Sequence, residues 1–209
     1  MIKIENELVT GFDTAIRAMR NPMNSWGLSD SGFDDGEFHV GKADKELMLK
    51  LVKAGTDHSK FMRMITVSAD ITAPMFWWAE CDTYKVGTVR NSCSKMHKIH
   101  ANRISEEDFS LDVTQSIDAA WFAVKSLIYT CEELRIAYNE TGNTDYWRAL
   151  IEILPESYNQ RATWQANYQV LRAMYHARKH HKLTEWRTFC HWVEGLPQAD
   201  LITTKGGAG

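Results

Sequence analysis

The stretch NYQVLRAMYHAR, residues 167–178, carries the clearest helical pattern of this chain. Spacings of four, three and four, which place side chains on one face of a helix, separate four of its residues: Asn167, Leu171, Met174 and Arg178. That face is apolar in the middle and polar at both ends. Because a purely structural helix would turn its arginine toward solvent, the pattern predicts a helix face that closes over a polar ligand.

Length and charge narrow the class of protein. The chain has 209 residues, and we expect residues 1–201 to form a single domain and residues 202–209 to be a flexible tail. Its 24 Lys and Arg against 27 Asp and Glu leave a net charge of -3, so we expect no nonspecific binding to nucleic acid. Any anionic ligand must therefore be held by a local cluster of basic side chains.

The sequence favours a soluble, cytoplasmic protein without a membrane partner. Its N-terminus, MIKIENELV, lacks the apolar core of a signal peptide, and no segment reaches the ~18 apolar residues of a membrane span. The four cysteines are far apart and are read as reduced thiols: Cys81, Cys93, Cys131 and Cys190. We predict no metal site, although His176 and His180 have the i, i+4 spacing of metal ligands and His181 follows them. Exposed histidines at a helix end are the simpler interpretation.

Periodicity and turn residues predict more helix than strand. Strands are expected at residues 2–9 and 61–68, the second leading into a helix entry at 71–74. Helices are expected at residues 12–19, 42–54, 75–84, 112–139, 144–153 and 167–178, with a last one from Thr184. A long loop at 20–41, a polar connection at 87–103 and a polar turn at 152–160 separate them. The fold class is α+β: a helix-rich domain with a small mixed sheet packed on long helices.

The order of these elements resembles a known family. Asn167, followed by Leu171 and then by Arg178 eleven residues after the Asn, resembles the C-terminal substrate helix of the flavin-dependent thymidylate synthases. The likeness extends from about residue 50 to residue 195. It implies a helix-rich α+β fold and an enzyme that adds a one-carbon unit from methylenetetrahydrofolate to carbon 5 of dUMP, with FAD as cofactor.

The family signature is only partly present. In the family a helix ends in Arg-His-Arg, followed after two residues by Ser, after four more by Ser, and after one more by Arg. Placed without gaps, the Arg-His-Arg positions hold Asp82, Thr83 and Tyr84, and the first Ser position holds Gly87. The second Ser is retained as Ser92, and the last Arg is replaced by Ser94.

The resemblance implies roles for four residues near the cofactor and the ring. Arg178 resembles the arginine that polarises the pyrimidine, because a fixed guanidinium stabilises negative charge on a ring carbonyl oxygen. Asn167 resembles the asparagine on the flavin side, and Tyr84 and His58 are further candidates for cofactor binding. The alternatives are an Arg178 paired with a carboxylate beside the helices and a Tyr84 packed in the core.

The candidate substrate residues lie in the connection after Tyr84 and in the later turn. We predict that the nucleotide phosphate binds near Ser92, with Arg90, Lys85 or Ser94 assisting, and that Arg161 of the later turn is a further substrate-binding residue. Lys95 and Lys98 lie in the same basic connection and would strengthen an anion site. The alternatives are a solvated basic loop and, for the turn that holds Gln160, Arg161 and Thr163, ordinary helix capping.

Two functions from different classes remain open. The first is the enzyme described above, acting on dUMP or a related pyrimidine nucleotide. The second is a nucleotide-binding or structural protein on the same fold that has lost FAD. The eight Trp, seven Tyr and nine Met exceed the needs of one core, so we also expect a homo-oligomer, a tetramer as the resemblance implies.

Overall fold

The structure is a computed structural model that describes residues 2–205. Helices make up most of its regular structure. In chain order the elements are β1 (Lys3–Thr10), α1 (Phe12–Arg20), β2 (Gly32–Asp34), β3 (Glu37–His39), α2 (Lys42–Lys53), β4 (Thr66–Pro74), α3 (Met75–Cys81), β5 (Thr88–Ser92), α4 (Lys95–Lys98), α5 (Asp118–Thr141), α6 (Thr144–Ile153), β6 (Asn159–Asn167), α7 (Tyr168–Arg178), α8 (Thr184–Glu194) and α9 (Asp200–Thr203). Short 3-10 turns lie at Asn21–Met23, Trp26–Leu28, Lys60–Arg63, Glu106–Asp108 and Thr114–Ser116.

The sheet content is small. Within residues 2–205, four strands form one sheet in the order β1-β4-β6-β5, and β2 pairs with β3 in a separate hairpin. The hydroxyls of Thr10 and Thr66 are 3.0 Å apart, and the amide of Asn6 donates to the carboxylate of Asp70 at 2.9 Å, so β1 and β4 run antiparallel. The α+β prediction is confirmed, and the sheet is antiparallel rather than mixed.

The described residues group into two compact units, each assembled from separate segments of the sequence. The first unit contains residues 2–3, 71–83 and 91–163, and the second contains residues 4–70, 84–90 and 164–205. Helices α5 and α6 lie entirely in the first unit, whereas α7 and α8 lie entirely in the second.

The core of the first unit is packed against α5 and α6. Its buried residues are Ile99, Ile104, Phe109, Leu111, Ile128, Cys131 and Leu150. Trp77 and Trp78 of α3 are also fully buried in this unit, and the indole N–H of Trp78 donates to the carbonyl of Gln160 at 2.9 Å. A buried indole with a satisfied N–H stabilises the unit without the cost of an unpaired donor.

The core of the second unit is built from aromatic side chains of β6, α7 and α8. Trp164 and Trp186 both pack edge-on against Phe189, with ring centroids 5.8 and 5.6 Å away. Tyr168 is fully buried, and its hydroxyl donates to the carbonyl of Pro197 at 2.6 Å. The hydrogen bond allows a polar atom to sit in this core.

A buried ion pair anchors residues 20–41, which we expected to form one long loop and which include the β2–β3 hairpin. The Nε of Arg20 donates to Asp44 at 2.6 Å, and the two side chains are 4% and 0% exposed. The hydroxyls of Ser29 and Ser31 donate to Asp44 at 2.6 and 2.7 Å. Burial alone would raise the pKa of Asp44, but the hydrogen bonds from Ser29, Ser31 and Arg20 lower it overall.

The strand expected at residues 61–68 lies later in the chain. Phe61 and Met62 are both buried, which a strand with one inward face does not allow, and they form a 3-10 turn instead. Strand β4 continues to Pro74, because alternation buries Ile71 and Ala73 where we predicted a helix entry. Pro74 is then the N-cap of α3.

Two strands were absent from the sequence-based prediction. Strand β5 occupies the polar connection after Tyr84, and β6 occupies the segment that we expected to be a turn. In β6 the side chains of Ala162, Trp164 and Ala166 are buried and the residues between them are exposed. Ala and Gln have low strand propensity, so this alternation was masked by composition. Arg161 and Thr163 are therefore strand residues, not helix caps.

The structure also corrects two boundaries predicted from the sequence, the start of the longest helix and the start of the C-terminal tail. Helix α5 begins at Asp118, because the preceding residues form a 3-10 turn and Ile117 is extended. Ile202, which we assigned to a flexible tail, is buried in α9, and Arg172 donates to its carbonyl at 3.4 Å. The remaining tail residues 206–209 lie outside the described part of the chain. Among the helices of residues 2–205, none is both long and apolar enough to span a bilayer.

Candidate functional site

Helix α7 begins where the sequence predicted. Asn167 is its N-cap, with extended backbone angles, and its side-chain oxygen accepts a hydrogen bond from the N–H of Val170 at 3.0 Å. Leu171 and Met174 are fully buried, so the predicted apolar middle of the face packs into the core of the second unit. The two polar ends of that face, Asn167 and Arg178, are partly exposed.

Arg178 is held by aromatic side chains at the end of α7. Its Nε donates to the hydroxyl of Tyr84 at 3.0 Å, and its guanidinium carbon lies 4.8 Å from the ring centroid of Trp186 and 5.6 Å from that of Tyr84. Trp186 is fully buried. A guanidinium beside two aromatic rings is attracted to their π electrons, which helps to fix the direction of Arg178.

The segment after Tyr84 approaches the start of α7 at Gly87. Gly87 has φ +85°, and a Cβ added there would lie 2.9 Å from Cγ2 of Val170 and 3.0 Å from Nδ2 of Asn167. The position therefore needs glycine for two reasons, its backbone conformation and its close neighbours. The structure thus brings three predicted residues of the second unit, Asn167, Tyr84 and Arg178, to the two ends of one helix.

The first unit contains a cationic cavity of about 270 Å³. Its walls include four basic and two acidic side chains, which leaves a formal charge of +2: Lys95, Lys98, Arg103, Arg161, Glu107 and Asp108. Other lining residues include Ser94, Cys93, Tyr158 and Gln160. We call this the cationic cavity. A concave site with an excess of positive charge attracts anions and raises their local concentration.

Local structure positions the residues around the cationic cavity. The backbone N–H of Cys93 donates to the carbonyl of Arg161 at 2.9 Å, and the amide of Gln160 donates to the carbonyl of Cys93 at 2.7 Å. Ser94 caps α4 by accepting from the N–H of His97 at 3.3 Å, which orients the turn that carries the lysines. The predicted substrate residues Ser94 and Arg161 therefore line one cavity.

Two groups on the wall of the cationic cavity are defined by their surroundings. Burial, followed by the negative charge of Asp108, raises the pKa of Tyr158, so its hydroxyl stays protonated at neutral pH. The carboxylate of Asp108 accepts from the backbone N–H of Ser105 at 2.8 Å. Asp108 is therefore committed to a local capping box, and the basic side chains dominate the charge that a ligand would meet.

A second, larger cavity of about 640 Å³ lies in the second unit. Most of its wall is apolar: Ala18, Met19, Pro22, Met23, Leu47, Leu51, Phe61 and Met64. The polar groups on its wall include His58, Lys60 and Asn21. We call this the apolar cavity. Its volume is in the range of ~300 to 1,000 Å³ that is typical of cofactor and small-molecule sites.

Of the other predicted residues, only His58 lines either cavity. Lys85 is exposed, Arg90 is half-buried on β5, and Ser92 is exposed at the end of the same strand. His58 lines the apolar cavity, whereas Tyr84 and Asn167 do not. That Ser92 is the main phosphate contact remains a prediction. Ser94, two residues later, lines the cationic cavity, and Ser92 does not.

Sequence reasoning missed Arg103, Lys60 and the role of Gln160. Arg103 comes nine residues after Ser94, at the end of the basic run KMHKIHANR. We assigned this run to a polar connection, and its charge was the signal that could have identified Arg103. Lys60 is two residues after His58 in the sequence and could have been predicted with it as a cofactor-binding residue. Gln160 was assigned to a turn, although its side chain is buried and organises the wall of the cationic cavity.

The three histidines that we considered as metal ligands have different surroundings. His176 is partly buried, and this burial, with the charge of Arg172, lowers its pKa. His180 is exposed, and the Nδ1 of His181 accepts from the N–H of Leu183 at 3.2 Å. Within residues 2–205, no group of three His, Cys, Asp or Glu side chains is arranged to hold a metal ion.

Comparison with solved structures shows enzymes of one fold. A crystal structure of flavin-dependent thymidylate synthase from Helicobacter pylori with FAD and dUMP matches with a TM-score of 0.74 and 19% identity, covering 96% of this chain and 98% of that chain. A second structure of the H. pylori protein with the same ligands matches with a TM-score of 0.74 and 18% identity, covering 96% and 97%.

A third match is the UMP/dUMP methylase PolB from Streptomyces cacaoi, bound with 5-Br dUMP. Its TM-score is 0.60 at 14% identity, and the match covers 93% of this chain and 89% of that chain. No family model matches the sequence, and a search of curated proteins found no significant match. At these identities the likeness establishes the fold, which confirms the expectation drawn from residues 167–178. This chain has the fold of the flavin-dependent thymidylate synthases.

Proposed function

We propose that this chain is a flavin-dependent enzyme that transfers a one-carbon unit from methylenetetrahydrofolate to carbon 5 of dUMP or of a related pyrimidine nucleotide. The observation that carries the proposal is the cationic cavity. Ser94 and Arg161 line it together with Lys95, Lys98 and Arg103. The fold of the chain is shared with proteins crystallised with dUMP or 5-Br dUMP. The cavity is the feature of this chain that suits the anionic end of such a ligand.

The chemistry of the cationic cavity suits a phosphomonoester. A nucleoside monophosphate carries a phosphate with three acceptor oxygens, which hydrogen-bond best to charged donors. Lys98, Arg103 and Arg161 supply such donors, and the protonated hydroxyl of Tyr158 supplies a neutral one. The volume of about 270 Å³ holds a phosphate with its sugar more readily than a whole dinucleotide.

Arg178, in the second unit, is a separate candidate for contact with a pyrimidine ring, as the resemblance to the flavin-dependent thymidylate synthases implies. Tyr84 and Trp186 hold its planar, cationic guanidinium in one direction. A fixed cation stabilises negative charge that develops on a ring carbonyl oxygen when carbon 5 becomes nucleophilic. Arg178 would therefore lower the barrier of the step that activates carbon 5.

We assign the flavin to the apolar cavity. Of the three residues that we predicted to bind the cofactor, Asn167, Tyr84 and His58, only His58 lines this cavity. Its volume of about 640 Å³ and its Met, Leu and Phe walls suit a planar ring system, and His58 and Lys60 offer polar contacts to the edge or to a phosphate. When bound, reduced FAD supplies a hydride for the formation of the methyl group. We assign His58 and Lys60 to FAD binding. Asn167 and Tyr84 contact the two ends of α7 and remain candidates for a supporting role.

The test combines flavin content with turnover. We expect the purified protein to show a flavin absorption spectrum, or to acquire one with added FAD, and to release tritium from carbon 5 of labelled dUMP when reduced FAD and methylenetetrahydrofolate are present. Lys60→Ala should weaken FAD binding, whereas Lys182→Ala, an exposed control, should not. A colourless protein that ignores FAD and releases no tritium would contradict the enzymatic proposal.

One observation favours the second function, a nucleotide-binding protein that has lost FAD. Asn167 already serves as the N-cap of α7 and Arg178 already bonds to Tyr84, which are the contacts of structural residues. If that function is correct, dUMP will bind to the colourless protein, and Lys98→Gln will weaken that binding. Calorimetry with dUMP in the absence of FAD distinguishes this case from a protein with no nucleotide site.

A further inference from the structure

The four thiols of the chain differ in their access to solvent. Cys81, Cys131 and Cys190 are buried, each at most 3% exposed, whereas Cys93 is exposed. Burial raises the pKa of the Cys131 and Cys190 thiols to about 11, so both stay protonated and unreactive at neutral pH. Cys93 is therefore the thiol that a ligand or a reagent reaches.

Cys93 lines the cationic cavity, and none of the three buried thiols does. It shares this cavity with the four basic side chains Lys95, Lys98, Arg103 and Arg161. A nucleophile and the charged donors for an anion thus lie in one concave site of about 270 Å³. Cysteine is the side chain that needs least activation as a nucleophile, because its thiolate is intrinsically reactive.

The backbone of Cys93 is held on both sides. Its N–H donates to the carbonyl of Arg161 at 2.9 Å, and its carbonyl accepts from the side-chain amide of Gln160 at 2.7 Å. Gln160 is itself buried. The two bonds join Cys93 to β6 beside Arg161, so the thiol is fixed next to a donor for the phosphate. Fixing a nucleophile near a bound substrate lowers the entropic cost of their reaction.

The shape of a pyrimidine nucleotide decides which of its atoms a thiol in this cavity meets. In the common anti conformation, carbon 6 is the ring carbon that faces the 5′-oxygen and its phosphate. A phosphate held by the basic side chains of the cationic cavity therefore brings carbon 6 toward the same wall. Carbon 6 is also the electrophilic end of the double bond that is conjugated with the carbonyl on carbon 4. It is thus the carbon to which a thiolate adds.

We infer that Cys93 is a catalytic nucleophile that adds to carbon 6 of a pyrimidine nucleotide bound in the cationic cavity. The inference rests on the proposed function, because that nucleotide is the substrate. The bond from Sγ to carbon 6 forms, and the electron pair of the ring double bond moves to carbon 5 and the carbonyl oxygen on carbon 4. Carbon 5 is then nucleophilic and attacks the one-carbon unit. Loss of the proton on carbon 5 to solvent returns the pair, which restores the double bond and expels the Cys93 thiolate.

Isotope exchange tests the addition. Without a one-carbon donor, carbon 5 takes a proton from water instead, and reversal of the addition then releases its original hydrogen. With neither folate nor flavin added, we expect the wild type to release tritium from carbon 5 of labelled dUMP. Cys93→Ser should lose this release down to the level seen without protein, since a hydroxyl is a much weaker nucleophile than a thiolate. Its affinity for dUMP in calorimetry should stay within about twofold of the wild type.

The matched control is Val89→Thr, a change of similar size on exposed β5 outside the cationic cavity. It should keep both the tritium release and the affinity.

Thiol labelling gives a readout without turnover. Iodoacetamide should modify one thiol per folded chain, and mass spectrometry of the peptides should place the label on Cys93, with the three buried thiols as internal controls. At ten times its dissociation constant, dUMP should slow the labelling about tenfold, because the occupied cavity shields the thiol. Deoxyuridine, which lacks the phosphate, should not slow it at the same concentration.

Tritium release that is lost in Cys93→Ser while dUMP still binds supports the inference. Equal release from both proteins, or no release from a wild type that binds dUMP, overturns it and leaves the proposed function standing, because that function does not require a thiol. A protein that binds no dUMP and whose Cys93 labels at the same rate with and without it overturns the inference together with the placement of the nucleotide. Circular dichroism checks folding, and Cys93→Ala replaces a serine variant that fails to fold, with the same expected results.

Discussion

The Nε of Arg178 donates a hydrogen bond to the hydroxyl of Tyr84 at 3.0 Å, although 94 residues separate them in the sequence. Both residues were predicted site residues: Arg178 as the arginine near the pyrimidine, and Tyr84 as a candidate for cofactor binding. The contact brings two predicted residues together. It also fixes the direction of a guanidinium at the end of α7, which a flexible surface arginine would not have.

Arg178→Lys separates a catalytic arginine from a structural one. Lysine keeps the charge but loses the planar fork and the aromatic stacking, so we expect turnover to fall by about 2.7 to 4 kcal/mol of barrier, as for the loss of one oxyanion donor. Nucleotide affinity should change much less. Tritium release from labelled dUMP and calorimetry with dUMP measure the two effects.

Tyr84→Phe is the matched control for Arg178. It removes the acceptor hydroxyl and keeps the ring, so we expect a smaller loss of turnover and about 0.5 to 1.5 kcal/mol less stability. Full turnover in Arg178→Lys, together with a lower melting temperature, would assign Arg178 a purely structural role.

The cationic cavity predicts a charge-dependent affinity. Replacing Lys98 or Arg161 by Gln should weaken dUMP binding by about 1.5 to 3 kcal/mol, which is the contribution of one hydrogen bond to a charged group. The loss should shrink as salt is added, because the residual attraction is screened. Lys182→Gln is the control, on an exposed loop that does not line the cationic cavity, and equal losses in all three variants would point to a nonspecific charge effect.

The two serines near the cationic cavity make opposite predictions. Ser94→Ala should weaken dUMP binding and shorten α4, because Ser94 both lines the cavity and caps the helix. Ser92→Ala should leave the affinity within about twofold, since Ser92 is exposed outside the cavity. A larger effect at Ser92 than at Ser94 would support the assignment made from the family pattern and contradict the one made from the cavity.

Asp44→Asn should destabilise the protein in a pH-dependent way. It leaves Arg20 buried without its charge partner, which costs about 3 to 5 kcal/mol. The folded-state pKa of Asp44 is below the unfolded value, so the carboxylate stabilises the fold above pH ~4 and the effect is lost as pH falls through the folded pKa. Urea unfolding should therefore show a wide gap in stability between wild type and variant at neutral pH, and the gap should narrow as the pH falls below ~4. The exposed Asp35→Asn should show no such gap.

Gly87 and Gly36 form a natural pair of controls. Both have φ +85°, but a Cβ at Gly36 meets no atom within 4 Å, whereas one at Gly87 meets Val170 and Asn167 at 2.9 and 3.0 Å. Gly36→Ala should cost about 1 kcal/mol for the strained backbone, and Gly87→Ala should cost about 1 to 3 kcal/mol more for the close contacts. Thermal unfolding of the two variants gives the difference, and equal costs would show that the contacts relax freely.

Local patterns in the sequence predicted most of the longer helices. The spacing of Leu171 and Met174 predicted the buried face of α7, and Asn167 predicted its start, because capping and periodicity depend on residues within a few positions of one another. The same reasoning found the short helix α6 and the strand β1. Of these elements, α6 and α7 lie within the segment that carries the resemblance through which the fold was predicted.

Only the tertiary structure decided where the candidate ligand residues meet. Strand β6 was missed because its pairing depends on strands far away in the sequence, and with it the structure changed Arg161 from a turn residue to a wall of the cationic cavity. Arg103, Ser94 and Arg161 form that wall although their separations follow no sequence period. Periodicity encodes which side chains of one element share a face, whereas a site depends on long-range packing between elements, and that packing has no signature in a single sequence.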